Sequence, residues 1–192
     1  MVFSLAIAGI FISNYVVVQF LGICPFLGLS KKVDSALGMG VAVTFVMVLA
    51  SLITYPIYTY IMLPNGIEYL EIIVFIFVIA SLVQILEMVI RKMSPSLYKA
   101  MGVYLPLITT NCAILGVAEI NLTYELVTGV FSAALNGLFS GIGFTLAIVI
   151  LAGLREKIDK LPTPKHMRGF PISMIAAGIM AMAFYVFTFI TM

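Results

Sequence analysis

The chain contains two cysteines, and each begins a short apolar segment that ends in glycine. Cys24 begins Cys-Pro-Phe-Leu-Gly, and Cys112, 88 residues later, begins Cys-Ala-Ile-Leu-Gly. Thiolates are ligands of zinc and of iron–sulfur clusters, and such sites usually take four of them. Two sulfurs in matching settings therefore predict half of a metal site. The other half would come from a second copy or from a homologous partner.

Two other roles for these cysteines stay open. A free cysteine also behaves as a small hydrophobe and is often buried without a function. A disulfide is less favoured, because bridges belong to oxidising compartments and both residues fall inside apolar segments. Bare thiolates are costly to bury, and a metal ion neutralises them. A redox cluster halfway through a membrane would also let electrons cross an insulating layer, where structural zinc would have little purpose.

The composition predicts a membrane protein. Apolar residues make up 63% of the 192 residues, charged residues 9%, and the mean hydropathy is +1.22. About six spans of about 20 residues would use the whole chain, which leaves no room for a soluble catalytic domain. The first residues lack the basic region and cleavage site of a signal peptide, so we expect a span there. The predicted spans cover residues 2–23, 36–63, 70–90, 100–118, 126–153 and 170–191, with Pro56 bending or ending the second.

The distribution of charge predicts the orientation in the membrane. In the second and fourth connections, all charged residues are acidic. The first, third and fifth connections contain every basic residue of the chain: Lys31, Lys32, Arg91, Lys92, Lys99, Arg155, Lys157, Lys160, Lys165 and Arg168. Basic connections stay in the cytoplasm, so both termini are expected outside. Because insertion explains these short basic loops, no nucleic-acid binding is predicted.

The cysteines also predict an internal repeat. Cys24 falls in the first span and Cys112 in the fourth, so the repeating unit holds three spans. An odd number of spans inserts the second unit upside down, and such inverted repeats place functional sites where interrupted helices meet. We predict an all-α transmembrane domain over residues 1–192, made of inverted repeats 1–98 and 99–192.

Helices one and four are predicted to be interrupted at the cysteines. Pro25 lacks an amide hydrogen and disfavours helical angles at Cys24, and polar side chains near Cys112 can satisfy unwound backbone. The simpler alternative is a kink in an unbroken helix. The neighbours predicted to surround a metal site are Gly22, Pro25, Gly28, Thr110, Asn111 and Gly116.

The depth of the cysteines depends on the segments that follow them. Each cysteine stands seven residues before a charged residue, Lys31 or Glu119. If those residues are extended at about 3.3 Å each, both cysteines reach the centre of a core about 30 Å thick. If they are helical, the rise is only about 10 Å, and the cysteines fall on opposite sides of the midplane. We therefore expect extended segments after both cysteines.

Two further features have simpler explanations. Glu87 lies inside a predicted span, where a carboxylate is a candidate for ion or proton handling. Arg91 lies four residues later near the cytoplasmic end, which favours a helical ion pair. Gly137, Gly141 and Gly143 offer small residues for close helix approach, within the chain or against a partner.

At these residues the chain resembles a known family. The segments 14–32, 38–40, 83–88 and 105–117 look like the A-type subunits of Rnf complexes, and the related E-type subunits of sodium-pumping NADH:quinone reductases are similar. The segment 151–157 fits either. The short second connection, 63–69, is more like the Rnf version. The resemblance covers nearly the whole chain, and the two cysteine segments are its specific part.

The resemblance implies a membrane electron-transfer subunit of an ion-translocating ferredoxin:NAD⁺ oxidoreductase, in the inner (cytoplasmic) membrane of a prokaryote. In that family the A-type subunit pairs with a homologous E-type subunit of opposite orientation, and cysteines of both hold one [2Fe–2S] cluster. Cys24 and Cys112 match those ligand positions. Flavins and other clusters belong to B, C, D and G-type subunits, so no catalytic residue is expected in this chain. Electron transfer would be coupled to sodium or proton transport.

Two hypotheses compete with this one. Inverted repeats and broken helices are equally typical of secondary transporters and small channels, which would carry no redox centre. A purely structural scaffold for neighbouring subunits is the other hypothesis.

Overall fold

The computed structural model describes residues 18–29, 33–93, 105–123, 127, 129–160 and 169–190. All regular structure in this part of the chain is helical. The α-helices longer than one turn are α1 (Ile23–Leu29), α2 (Val33–Ile57), α3 (Glu71–Met93), α4 (Leu105–Thr109), α5 (Cys112–Thr123), α6 (Val130–Ile158) and α7 (Phe170–Ile190).

α2, α3, α6 and α7 overlap the second, third, fifth and sixth predicted spans, and α4 with α5 overlaps the fourth, which confirms an all-α fold with several apolar helices typical of membrane spans. Among the described residues, three helices are long and apolar enough to cross a membrane: Val33–Asn65, Glu71–Val89 and Val130–Ile158. Leu107–Thr123 and Phe170–Val186 are shorter apolar helices. The predicted first span lies, up to residue 17, outside the described residues. The count of six spans therefore stays a prediction.

The second span does not end at Pro56. α2 continues to Ile57, and its hydrogen bonding then changes to the wider π pattern over Tyr58–Met62 before a last α-turn, Leu63–Asn65. Proline removes one amide donor from the helix, and a local π segment is one way to accommodate such a defect. The sequence predicts that Pro56 bends or ends the second span, and the prediction that the span ends there is wrong.

α2 and α6 cross at very close range through two glycines. A Cβ added to Gly40 would lie 2.5 Å from Cγ2 of Thr145, and one added to Gly141 would lie 2.7 Å from Cα of Thr44. The two threonine hydroxyls are 3.2 Å apart, and each also donates to the carbonyl of the glycine four residues earlier. The pairing requires antiparallel helices. The predicted role of Gly141 in helix approach is confirmed within the chain.

A buried polar contact joins α5 to the same pair of helices. Nδ2 of Asn121 donates to Oγ of Ser51 on α2 over 3.0 Å, and Nδ2 of Asn136 on α6 donates to Oδ1 of Asn121 over 2.7 Å. All three side chains are at most 3% exposed. Polar groups in apolar surroundings are costly unless they are paired. This contact therefore holds α5 at a defined position between α2 and α6.

The helix ends extend beyond the predicted spans into residues expected to lie in connections. Arg155, Glu156 and Lys157 belong to α6, Glu119 belongs to α5, and Asp34 lies in the first turn of α2. The prediction places these charged residues just outside the second, fourth and fifth spans. Helices continue past such a charge because side chains, rather than the backbone, carry it to a polar partner or to water.

Candidate metal centre

Each cysteine lies in the first turn of a helix, directly after a short non-helical stretch. α4 ends at Thr109 and α5 begins at Cys112, so the predicted interruption of helix four is confirmed. Residues 18–22 are likewise non-helical, and α1 begins at Ile23. What precedes residue 18 lies outside the described residues.

The break in the first segment lies before Cys24 rather than at it. Cys24 and Pro25 are the second and third residues of α1, and the N–H of Phe26 donates to the carbonyl of Gly22 over 3.3 Å. Proline is tolerated in a first helical turn because amides there have no intrahelical acceptor. The prediction that Pro25 holds Cys24 out of helical angles is wrong.

The segments after the cysteines are helical, so the expected extended segments are also wrong. α1 continues to Leu29 and α5 to Thr123. Seven helical residues rise only about 10 Å, and this route does not bring the cysteines to a common depth. They approach instead because the non-helical stretches before them pack against each other.

A hydrogen bond to sulfur links the two segments. The N–H of Gly22 donates to Sγ of Cys112 over 2.8 Å. Gly22 precedes Cys24 by two residues, and two residues of backbone span at most about 8 Å. Together with the hydrogen bond, this places the Cys112 sulfur within roughly 11 Å of the Cys24 backbone. Both thiols are free and exposed on the surface of the chain. The structure thus brings both cysteines to one region of the molecule.

Gly22 and Gly116 allow the two segments to approach this closely. Gly22 has φ +81°, a left-handed conformation that favours glycine, and an added Cβ would lie 2.9 Å from Cβ of Ala113. A Cβ on Gly116 would lie 2.7 Å from Cδ1 of Leu21. These two predicted neighbours of the metal site therefore act by leaving room for the opposite segment.

Asn111 caps the helix that begins at Cys112. Its Oδ1 accepts the N–H of Ala113 over 3.1 Å, and its carbonyl accepts the N–H of Ile114 over 3.1 Å. An asparagine at this position supplies the acceptor that a helix start lacks. The amide Nδ2 is buried and has no hydrogen-bond acceptor among the described residues.

The remaining predicted neighbours differ in their distance from the sulfurs. Pro25 is buried in the first turn of α1. Thr110 is exposed in the break and lines a cavity of about 290 Å³ that also borders Cys112 and the α3 residues Ile76 and Ala80. Gly28 is exposed, and an added Cβ would meet no atom within 4 Å. Nothing in the described part of the chain connects Gly28 to the sulfurs beyond its place on α1.

The donor set fits a shared cluster rather than a complete metal site. An N–H that points at a sulfur stabilises negative charge there, as around iron–sulfur clusters. Among the described residues, no group of three or more histidine, cysteine or acidic side chains could hold a metal ion. The two free cysteines are both exposed, so they would provide at most two of the usual four ligands, and the others would have to come from another chain.

Sequence reasoning missed the role of Arg155. The charge pattern predicts this residue in a cytoplasmic loop, but it lies in the last turn of α6, is only 7% exposed, and donates from Nη1 to the carbonyl of Leu27 over 2.8 Å. The sequence contained an indication of this burial. Ile148 and Leu151 precede Arg155 by seven and four residues, and both are fully buried. Positions with that spacing share one helix face.

The fold and the paired cysteines define a helical membrane protein with a surface thiol pair at two helix starts. The sequence matches a family described as Rnf-Nqr subunit, membrane protein, over residues 2–191. The chain belongs to this family.

Several relatives carry descriptive names. A protein of Acetobacterium woodii, named as the A-type subunit of a Na⁺-translocating ferredoxin:NAD⁺ oxidoreductase complex, is 55% identical over 184 residues, 95% of this chain and 94% of the relative. Proteins named as the A-type subunits of ion-translocating oxidoreductase complexes are also similar. The one from Syntrophotalea carbinolica is 50% identical over 93% of this chain and 91% of its own length. The one from Aliivibrio salmonicida is 48% identical over 96% and 94%.

Proposed function

We propose that this chain is the A-type membrane subunit of an ion-translocating ferredoxin:NAD⁺ oxidoreductase complex, a redox-driven pump. Within it, Cys24 and Cys112 supply half of the ligands of a [2Fe–2S] cluster. The names of the relatives support the complex, since identity near 50% extends over nearly the whole chain. Cys24 and Cys112 would hold such a cluster, which would supply one-electron redox chemistry at this position. The chain has no catalytic site of its own in this proposal.

The observation that carries the cluster proposal is the contact between Gly22 and Cys112. It brings the start of the Cys24 helix to the Cys112 sulfur, with an N–H donor already directed at that sulfur. Phe26 and Ile114, each two residues after a cysteine, are buried, so the thiols lie at the edge of the apolar core. The exposed sulfurs leave the other two ligand positions to a homologous E-type subunit of opposite orientation.

The crossing of α2 and α6 supports the inverted repeats proposed for residues 1–98 and 99–192. Gly40 and Thr44 correspond to Gly141 and Thr145 with a constant spacing of 101 residues. Each glycine packs on the threonine of the other helix. Such reciprocal contacts are expected around a two-fold axis. In an inverted repeat, that axis lies in the membrane plane.

The proposed surroundings follow from the complex. The chain would lie in the inner membrane of a prokaryote, with both termini outside, beside subunits of B, C, D and G type that carry flavins and other clusters. The Glu87–Arg91 ion pair remains a prediction.

The ligand proposal is tested by Cys24→Ser and Cys112→Ser in the purified complex. Each change should remove one [2Fe–2S] signal from the EPR spectrum and about two iron atoms per complex, because a hydroxyl is a poor cluster ligand. Thr123→Ser, at the far end of α5, is the matched control and should keep both. Electron transfer from ferredoxin to NAD⁺ should stop in the cysteine variants only.

Two outcomes would contradict the proposal. A full cluster signal in both cysteine variants would remove the ligand assignment and favour a scaffold. Ion flux through liposomes that hold this chain alone, without bound iron, would favour a secondary transporter or channel.

A further inference from the structure

Arg155 is the buried member of a cationic set whose other described members are exposed. Arg91, Lys92, Lys157 and Lys160 all lie on the surface, whereas Arg155 is 7% exposed. Retention of basic residues in the cytoplasm needs charge near a span end but no particular partner for it. Insertion therefore explains the exposed residues and leaves the burial of Arg155 unexplained.

The contact of Arg155 is with the helix that carries Cys24. Its Nη1 donates to the carbonyl oxygen of Leu27 over 2.8 Å in a buried position. Leu27 follows Cys24 by three residues on α1, which is about 4.5 Å along the axis and nearly one full turn. A cation near the carbonyl end of a helix is also favoured by the helix dipole. Arg155 thus holds the turn that follows the cysteine.

α6 provides a rigid support for this contact. Its crossing with α2 is fixed by the Gly40–Thr145 and Gly141–Thr44 contacts. Phe144, on the same helix, lies beside Gly22, since a Cβ on that glycine would be 3.2 Å from its ring. One rigid helix therefore touches the Cys24 segment both before and after the cysteine.

We infer that Arg155 is a positioning residue for Cys24. It anchors α1 on α6 and places a permanent positive charge within roughly 10 Å of the Cys24 side chain. A buried charge interacts more strongly with its neighbours than a solvated one does, and a positive charge at this distance favours added negative charge at the sulfurs. The anchoring part stands without any cofactor. The electrostatic part rests on the proposed function.

The test compares Arg155→Gln, Arg155→Lys and Lys157→Gln in the purified complex. Hydrogen–deuterium exchange of peptides covering residues 23–29 measures how firmly α1 is held. An EPR-monitored redox titration measures the effect of the positive charge on the midpoint potential. Arg155→Gln should speed exchange in these peptides and shift the midpoint potential of the [2Fe–2S] signal to more negative values. Arg155→Lys keeps the positive charge but lacks the planar guanidinium group. It should therefore speed exchange while leaving the midpoint potential close to that of the parent protein. Lys157→Gln, exposed in the same turn, should change neither.

The outcomes separate the two proposals. Unchanged exchange over residues 23–29 in Arg155→Gln overturns the anchor, whatever the cluster does. Should that variant fail to assemble, Arg155→Lys decides, and exchange equal to the parent overturns the inference. Faster exchange in a complex where neither cysteine variant alters any EPR signal would uphold the anchor and defeat the proposed function.

Discussion

Single residues decide whether the two cysteine segments can meet. Gly22 combines a left-handed backbone with an amide directed at the Cys112 sulfur, and the opposite segment leaves no space for a side chain. The hydrogen bond to this sulfur therefore depends on a residue that has no side chain. Asn111 contributes in a different way, because its side chain begins the helix that presents Cys112.

Gly22→Ala is expected to destabilise the protein by about 2–4 kcal/mol, since it combines left-handed strain with overpacking against Ala113. It should also move the amide away from the sulfur and reduce the [2Fe–2S] signal. Gly28→Ala is the matched control, because its added Cβ meets nothing within 4 Å and alanine favours a helix. Thermal unfolding in detergent, followed by EPR, measures both effects. Equal stability of the two variants would contradict the packing argument.

Among the helices, α1 and α5, which carry the two cysteines, pack against the crossed helices α2 and α6. α6 contacts the Cys24 segment through Phe144 and Arg155, and it holds α5 through Asn136. Helix association in membranes depends on such close packing of small residues and on interhelical hydrogen bonds, because lipid is as apolar as the helices. A disturbance of this crossing should therefore reach both cysteines.

Gly141→Ala should cost about 1–3 kcal/mol, because its Cβ would lie 2.7 Å from a backbone atom, Cα of Thr44, which no side-chain rotation can move. Gly153→Ala on the same helix meets no atom within 4 Å and should leave stability unchanged or slightly raised. Thermal unfolding of the two variants in detergent provides the comparison. A loss in Gly153→Ala as large as that in Gly141→Ala would assign the effect to helix flexibility instead of the crossing.

For the whole molecule, orientation in the membrane follows from the sidedness of charge. Alkaline phosphatase fused after residue 192 should be active, since that end is expected outside, and a fluorescent protein fused after residue 160 should fluoresce in the cytoplasm. Alkaline phosphatase fused after residue 160 should be inactive, and a fluorescent protein fused after residue 192 should not fluoresce. The reverse pattern would invert the proposed topology and the orientation of the partner subunit.

Much of this architecture is readable from the chain alone. Apolar runs near 20 residues predicted the spans, because a bilayer core imposes that length on any helix. Cys24 and Cys112 identified the candidate site, and the polar residues near Cys112 correctly indicated an interrupted helix. The all-α spans and this interruption were confirmed because each depends on composition or on neighbours within a few residues, and the role of the two cysteines stays a prediction.

Other features depended on how distant segments pack. Local rules put the first break at Cys24, but Pro25 fits a helical first turn once Gly22 turns the backbone against Ala113. The burial of Arg155 depends on the carbonyl of Leu27, 128 residues away. Local sequence records which side chains are available and which conformations they prefer. Folding in three dimensions selects their partners, because a contact between remote residues forms only when whole helices are already placed.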